Sequence, residues 1–234
     1  MTEELEFETY LSISQDKLEI FLFDKKNIKN LYKDELKLKN IFNFIDLDNL
    51  SKFLDNNIFK IEKMTGIFIK NIFLILENKK NLHVDICIKR KIYDNLVNKK
   101  ILKSTLIEVK DLFKENYKEQ IIMHMIVDNY LINGKKYSSF KNDLSSDHLC
   151  LEVNFISIPN ALAFHLDKIL QNYQIKISQY LNENYIKNYF INDNMELSEM
   201  AHKLRNGCNE NEVILIPKNI ENKGFFEKFF QLFS

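Results

Sequence analysis

The chain has 234 residues, 45% of them hydrophobic, which is enough for one or two packed domains. Its 33 Lys and Arg balance 33 Asp and Glu, so no nucleic-acid partner is expected, since a general binder needs a positive excess. Cys87, Cys150 and Cys208 lie far apart, with no CxxC or Cys/His spacing. Reduced thiols are expected, with neither a disulfide framework nor a zinc site. The first eight residues are acidic and carry no long apolar run, so they do not read as a signal peptide. Residues 9–14 and 18–23 are rich in β-branched and aromatic side chains and read as a hairpin turning at Ser14-Gln15-Asp16-Lys17. Residues 27–32 read as a third strand. Asp46 is placed to cap a helix in which Leu47, Leu50, Phe53, Leu54, Ile58 and Ile61 recur at helical spacing, and Gly66 closes that region. Residues 69–76 form a nearly continuous apolar run, as in a strand buried on both faces.

A second unit follows. Residues 82–88 alternate as a strand, with Leu82, Val84, Ile86 and Ile88 on one face. Residues 104–117 read as a helix with Ile107, Leu112 and Phe113 on an incomplete stripe. Residues 121–132 read as a long strand that turns at Asn133-Gly134, and 148–157 as the next strand. Pro159 suits a helix start, followed by Leu162, Leu166, Ile169 and Leu170 on one face. Residues 174–181 read as a short strand and 184–190 as a helix. From about 192 the chain turns rich in Asn and Glu, broken by a short helix at 197–204 and a short apolar run at 213–216; this stretch is expected to be a linker.

Residues 119–181 resemble the bacterial cell-division protein FtsA. The runs 120–124 (QIIMH), 129–134 (NYLING) and 148–157 (HLCLEVNFIS), then Pro159-Asn160 and a strand at 173–177, follow the family's succession. In that family a strand bears a His and a Tyr, then come a turn, a Leu/Val-rich strand and an Asn opening a helix. The resemblance implies an α/β (α+β) fold: a partial ribonuclease H-like, actin-like subdomain over 1–80, completed by 174–191. Into it is inserted the family's strand-helix-strand-strand module over 81–173. A linker at 192–221 and an amphipathic helix at 222–234 complete the expected organisation. Where the family has a phosphate loop with an acidic residue and Gly-Thr, this chain has Ser12, Ser14 and Gln15, with Lys17 retained. Such loops use Gly so that backbone amides can approach a phosphate. The family's second phosphate loop would follow the module, but the chain passes into its linker instead. The resemblance therefore implies no bound cofactor, no ATP binding and no enzyme activity, and loss of the usual contact with the tubulin homologue FtsZ.

The tail carries the sharpest physical signal. At about 100° per residue, Phe225, Phe226, Phe229, Phe230, Leu232 and Phe233 share an arc of roughly 160°. Glu227, Lys228, Gln231 and Ser234 fill the other side. A helix there is about 16 Å long against a bilayer core of about 30 Å, so it can lie in the interface but not cross it. Each buried large apolar side chain contributes roughly 1.5–3 kcal/mol, and Lys223 and Lys228 add attraction to anionic lipid. FtsA ends in a similar linker and helix. These eight residues are the candidate membrane-binding site.

Other candidates read as structural. His124 lies on a strand, where a packed or hydrogen-bonded histidine is expected. His83, His148, His165 and His202 share no metal-ligand spacing, and Asp46 and Asp48 suit helix capping. The expectation is a membrane-tethered, non-enzymatic adaptor at the cytoplasmic face of the inner membrane, at the division site. It would recruit divisome proteins, and copies of itself, through the inserted module. The alternative is a scaffold of another envelope machine such as pilus assembly.

Overall fold

The computed structural model describes residues 6–38, 47–78, 81–93 and 96–214. It is a mixed α/β fold, as expected, and divides into two compact units. Unit 1 comprises Met1–Lys80 and Ala161–Asn206, and unit 2 comprises Asn81–Asn160 and Gly207–Ser234.

Unit 1 is built on a five-stranded sheet. Its strands are β1 (Phe7–Ile13), β2 (Lys17–Asp24), β3 (Lys29–Lys37), β4 (Asn71–Leu76) and, after the second unit, β11 (Lys176–Asn182). The spatial order is β11-β4-β1-β2-β3. β1 runs antiparallel to β2 and parallel to β4, and β4 runs parallel to β11. That order, with one antiparallel hairpin beside a parallel trio, is the ribonuclease H-like arrangement the resemblance implies. The central strands are buried on both faces, which explains why the hairpin and the 69–76 run read as strongly apolar.

Alternation sorts the side chains. Tyr10, Phe21, Phe23, Ile75 and Leu181 pack under α4 (Glu183–Tyr189) and α5 (Leu197–Arg205), against Ile186, Leu197, Ala201 and Leu204. The neighbouring positions of β2 meet α1 (Leu47–Thr65), whose Leu50, Phe53, Leu54, Ile58 and Ile61 are buried at helical spacing. The proposed cap Asp46 lies outside the described residues.

Unit 2 enters between β4 and α3 (Asn160–Gln171). Its four-stranded antiparallel sheet has the order β5-β10-β7-β8, from β5 (Leu82–Lys91), β7 (Gln120–Ile132), β8 (Lys135–Tyr137) and β10 (His148–Pro159). Helix α2 (Lys99–Asn116) covers one face through Leu102, Leu106, Val109 and Phe113, the last stacked on Phe155 at 4.5 Å. A two-residue ladder, β6 (Leu96–Val97) with β9 (Leu144–Ser145), completes the unit. At the β7–β8 turn Asn133 and Gly134 both have positive φ (51° and 72°), the type I′ geometry that the Asn-Gly pair signals. The order β5-α2-β7-β10 is the expected strand-helix-strand-strand module.

Two boundaries differ from the sequence reading. The sequence expectation extends the module to 173, but α3 belongs to unit 1: Ala163, Leu166 and Leu170 are buried, and Tyr180 Oη donates to the Ala163 carbonyl at 3.4 Å. The expected linker is also structured over much of its length, because α5 sits in the core of unit 1. Asn211 to Val213 lie along β7, with Val127 N donating to Asn211 O at 2.9 Å and Val213 N to Met125 O at 2.8 Å. A few apolar residues anchor each piece, together with polar side chains such as Glu212, which bonds to His124, and Asn211, which bonds to the Ser138 carbonyl. Smaller shifts are of the usual kind. The third strand is Lys29–Lys37, and α2 begins at Lys99 because Asn98 caps it through the Ile101 amide at 3.0 Å. Pro159 ends β10 rather than opening the helix.

Candidate functional site

In a sheet with parallel strands, ligands are taken at the carboxyl ends of those strands. In unit 1 that edge is where β1 and β11 finish, beside the β1–β2 turn. Ser12 on β1 stands directly opposite Glu19 on β2, on the sheet face shared with Tyr10 and Phe21. Ser12 Oγ donates to Glu183 Oε2 at 3.0 Å, and both residues are buried. Glu183 is the first residue of α4, whose N-cap is Asn182; the Asn182 side chain accepts from the Tyr185 amide at 2.7 Å. The other Glu183 oxygen pairs with Lys187 Nζ at 2.5 Å, one helical turn on. Glu19, also buried, holds Lys17 at 2.7 Å and Lys33 at 3.7 Å.

The turn itself is closed by side chains. Ser14 Oγ lies 2.8 Å from Asp16 Oδ1 and 3.1 Å from the Lys17 carbonyl. Burial alone would pull the Lys17 ammonium down, but its bond to Glu19 and the charges of Glu19, Glu35 and Glu183 hold it above its ordinary value. A buried carboxylate is tolerated only when paired, and here each has its cation. Ser12 and Lys17, beside the β1–β2 turn, are thus already bonded to carboxylates. A phosphate at this edge would have to face Glu19 and Glu183 and compete for their lysines.

The eight predicted membrane-binding residues, Lys223 to Phe233, lie outside the described residues. His124 is buried in unit 2, with Nδ1 2.6 Å from Glu212 Oε1, a hydrogen-bonded histidine. Among the described residues no group of three or more His, Cys, Asp or Glu is arranged to hold a metal. No described helix is long and apolar enough to cross a membrane.

Sequence reasoning missed the two clasps on the supposed linker. On α5, Arg205 reaches Glu8 at 3.1 Å and the Tyr10 hydroxyl at 3.0 Å, and its guanidinium lies over the Phe73 ring. His202 Nδ1 adds a contact to Glu8 at 2.8 Å. On unit 2, Glu212 meets His124, and Asn211 donates to the Ser138 carbonyl at 2.7 Å. The available signals were Leu197, Ala201 and Leu204 at helical spacing and the Val213-Ile214 pair.

No protein-family model and no curated protein matches the sequence. Among solved structures, the chain is similar to a PilM-PilN type IV pilus biogenesis complex, at 10% identity and a TM-score of 0.46, covering 79% of this chain and 49% of that one. It is similar to the cytoplasmic domain of EpsL, an inner-membrane component of the type II secretion system of Vibrio cholerae, at 8% identity and a TM-score of 0.36, covering 77% and 57%. A Bacteroides thetaiotaomicron protein with an actin-like ATPase fold and unknown function gives 14% identity and a TM-score of 0.31, covering 82% and 58%. The chain therefore spans between 49% and 58% of the length of these structures, and nothing in them is specific to cell division.

Proposed function

We propose that the chain is a non-enzymatic, membrane-tethered platform for a bacterial envelope machine, with cell division as the machine that the FtsA-like motifs favour. The observation that carries the absence of a nucleotide switch is the occupied carboxyl edge of unit 1. Ser12, Lys17 and Lys187 are bonded to Glu183 and Glu19 rather than being free to meet a phosphate. The tether is the amphipathic pattern of residues 222–234, and the recruiting element is unit 2.

Two measurements test the reading. Calorimetry with Mg-ATP should give no binding heat; a micromolar dissociation constant refutes the switchless platform. Changing Phe226 and Phe229 to Glu should release the protein from sedimenting anionic vesicles, because an unpaired carboxylate costs several kcal/mol to bury. Gln231→Lys on the polar face should leave binding intact. Glu variants that co-sediment like the wild type would remove the tether. A tagged copy at mid-cell supports division, whereas polar or scattered foci support another envelope machine such as pilus assembly.

A further inference from the structure

Strand β5 closes one side of the unit 2 sheet, and among the described residues nothing pairs with its outer edge. The Ile92 amide donates to the Asp147 carbonyl at 2.8 Å, one step beyond the β5–β10 ladder. Bonded and non-bonded pairs alternate in an antiparallel ladder, so even-numbered residues of β5 bond inward to β10. The odd-numbered residues, His83, Asp85, Cys87, Lys89 and Lys91, turn their amides and carbonyls outward. Their side chains are all exposed on one sheet face. On the other face Val84, Ile86 and Ile88 are only partly covered by α2, and Ile107 and Leu112 of α2, 42% and 41% exposed, border an open groove with Ile88.

We propose that this edge is occupied by a second copy of the chain, pairing β5 with β5 about a two-fold axis at Cys87 to make a continuous eight-stranded sheet. A closed two-fold dimer requires antiparallel pairing of the same strand. Charged residues on an edge strand usually guard it against such pairing, so the register decides the matter. Centred on Cys87, Asp85 faces Lys89 of the other copy, His83 faces Lys91, and Cys87 faces Cys87. On the inner face Ile86 meets Ile88, while Val84 lies opposite Arg90, whose guanidinium is already held by Thr105 and Glu108 of its own α2. Centring on Asp85 or Lys89 instead sets Asp against Asp or Lys against Lys, which is unfavourable for directly opposed residues. Centring on Ile86 gives an equal overlap but sets Asp85 against Cys87 and His83 against Lys89, so the Cys87 register is the one that pairs unlike charges on the exposed face while keeping Ile86 against Ile88. Asn154 Nδ2 donates to one Asp85 oxygen at 2.6 Å, which holds that side chain on the exposed face without neutralising it. The pairing goes beyond the platform reading, since it depends on neither lipid nor division partner.

Sedimentation of the full chain without lipid tests it. A concentration-dependent dimer is expected across the micromolar range. Asp85→Lys and Lys89→Asp should each weaken it about tenfold, because every change spoils two symmetry-related pairs. The double swap, Asp85→Lys with Lys89→Asp, should restore it. In a Cys150→Ser, Cys208→Ser background, a short bis-maleimide should link Cys87 to Cys87. Thermal melts of the variants check that the exposed substitutions leave the fold intact. A strictly monomeric chain overturns the proposal, as it would if the chain's own C-terminal segment covered the edge. So does a dimer indifferent to the charge changes, or one that gives no Cys87 link.

Discussion

Arg205→Ala should detach α5 from the sheet and destabilise unit 1 by about 2–3 kcal/mol. The substitution removes an ion pair to Glu8 at 3.1 Å, a bond to the Tyr10 hydroxyl at 3.0 Å and the stacking on Phe73. Breaking a fully buried pair costs roughly 3–5 kcal/mol, and cation–ring stacking about 0.5–2 kcal/mol. Two features reduce the sum. The Arg205 and Glu8 side chains remain 18% and 14% exposed, and Glu8 keeps His202 and Tyr10 as partners. The assay is urea unfolding by circular dichroism, with hydrogen exchange in β1 and β2 assigning the transition to unit 1. Lys203→Ala is the control: its pair with Glu199 is solvent-facing and should be worth about 0.5 kcal/mol or less. The pH dependence gives an independent reading. Burial would raise the Glu8 carboxyl, but the Arg205 charge and the bonds from Tyr10, His202 and Arg205 outweigh it and hold it below the ordinary carboxylate range. A carboxyl with a lower pKa folded than unfolded contributes stability above its unfolded value. That contribution is lost as pH falls through its folded value. The acid limb of the wild-type stability curve should therefore be steeper than that of Arg205→Ala. A loss under about 0.5 kcal/mol, with unchanged acid behaviour, would refute the clasp as the reason α5 is held.

His124→Ala should free Asn211 to Val213 from β7, seen as lost hydrogen-exchange protection at Val127 and Val213, while the centre of the β10–β5 ladder stays protected. Glu183→Ala should cost about 1–3 kcal/mol, because it strands the buried Ser12 hydroxyl, while half-exposed Lys187 turns to water; Ser12→Ala, which leaves Glu183 with its lysine, should cost less. Burial, and then the Cys87 thiol 3.1 Å away, push the Cys150 thiol up to about 11. Maleimide at neutral pH should therefore modify exposed Cys208 well before Cys150, and the Cys150 rate should climb steeply only as pH rises toward that value.

How much of this was legible in the sequence depended on how many neighbours each segment has. The first hairpin and the 69–76 run are central strands, so two buried faces wrote continuous apolar stretches that needed no tertiary knowledge to read. The Asn133-Gly134 turn was legible because positive φ restricts residue choice so strongly. The module's element order could be read because β5 shows a period of two and the long apolar-rich runs of β7 and β10 are separated by the Asn133-Gly134 turn. α5 is legible as a helix but not as part of the core, since about two turns with one narrow apolar stripe leave most of its surface polar. Its fixing residues, Glu8 and Tyr10, lie nearly two hundred positions away. Segment 211–213 was missed for a related reason: it adds to β7 by backbone bonds, which any residue except proline supplies. The closure of the carboxyl edge was half legible. The missing glycine of the phosphate loop pointed to it, but Glu183 could be matched to Ser12 only once β11 was known to lie beside β4.

The revised boundaries change what the proposed tether would do. A linker of thirty residues, 192–221, has a contour of about 100 Å, long enough to let the two units range freely from a membrane surface. With α5 held by unit 1 and Asn211 to Val213 held by unit 2, the chain between the last described residue, Ile214, and the amphipathic stretch is seven residues, or at most about 25 Å. Effective concentration at a surface rises steeply as a tether shortens. If the proposed tether binds lipid, its closeness would concentrate the chain in a thin layer at the membrane, where even a weak β5–β5 pairing would become populated. On the proposed reading, membrane occupancy would itself set the degree of association, with the amphipathic tail supplying the concentration and the open edge of β5 the contact.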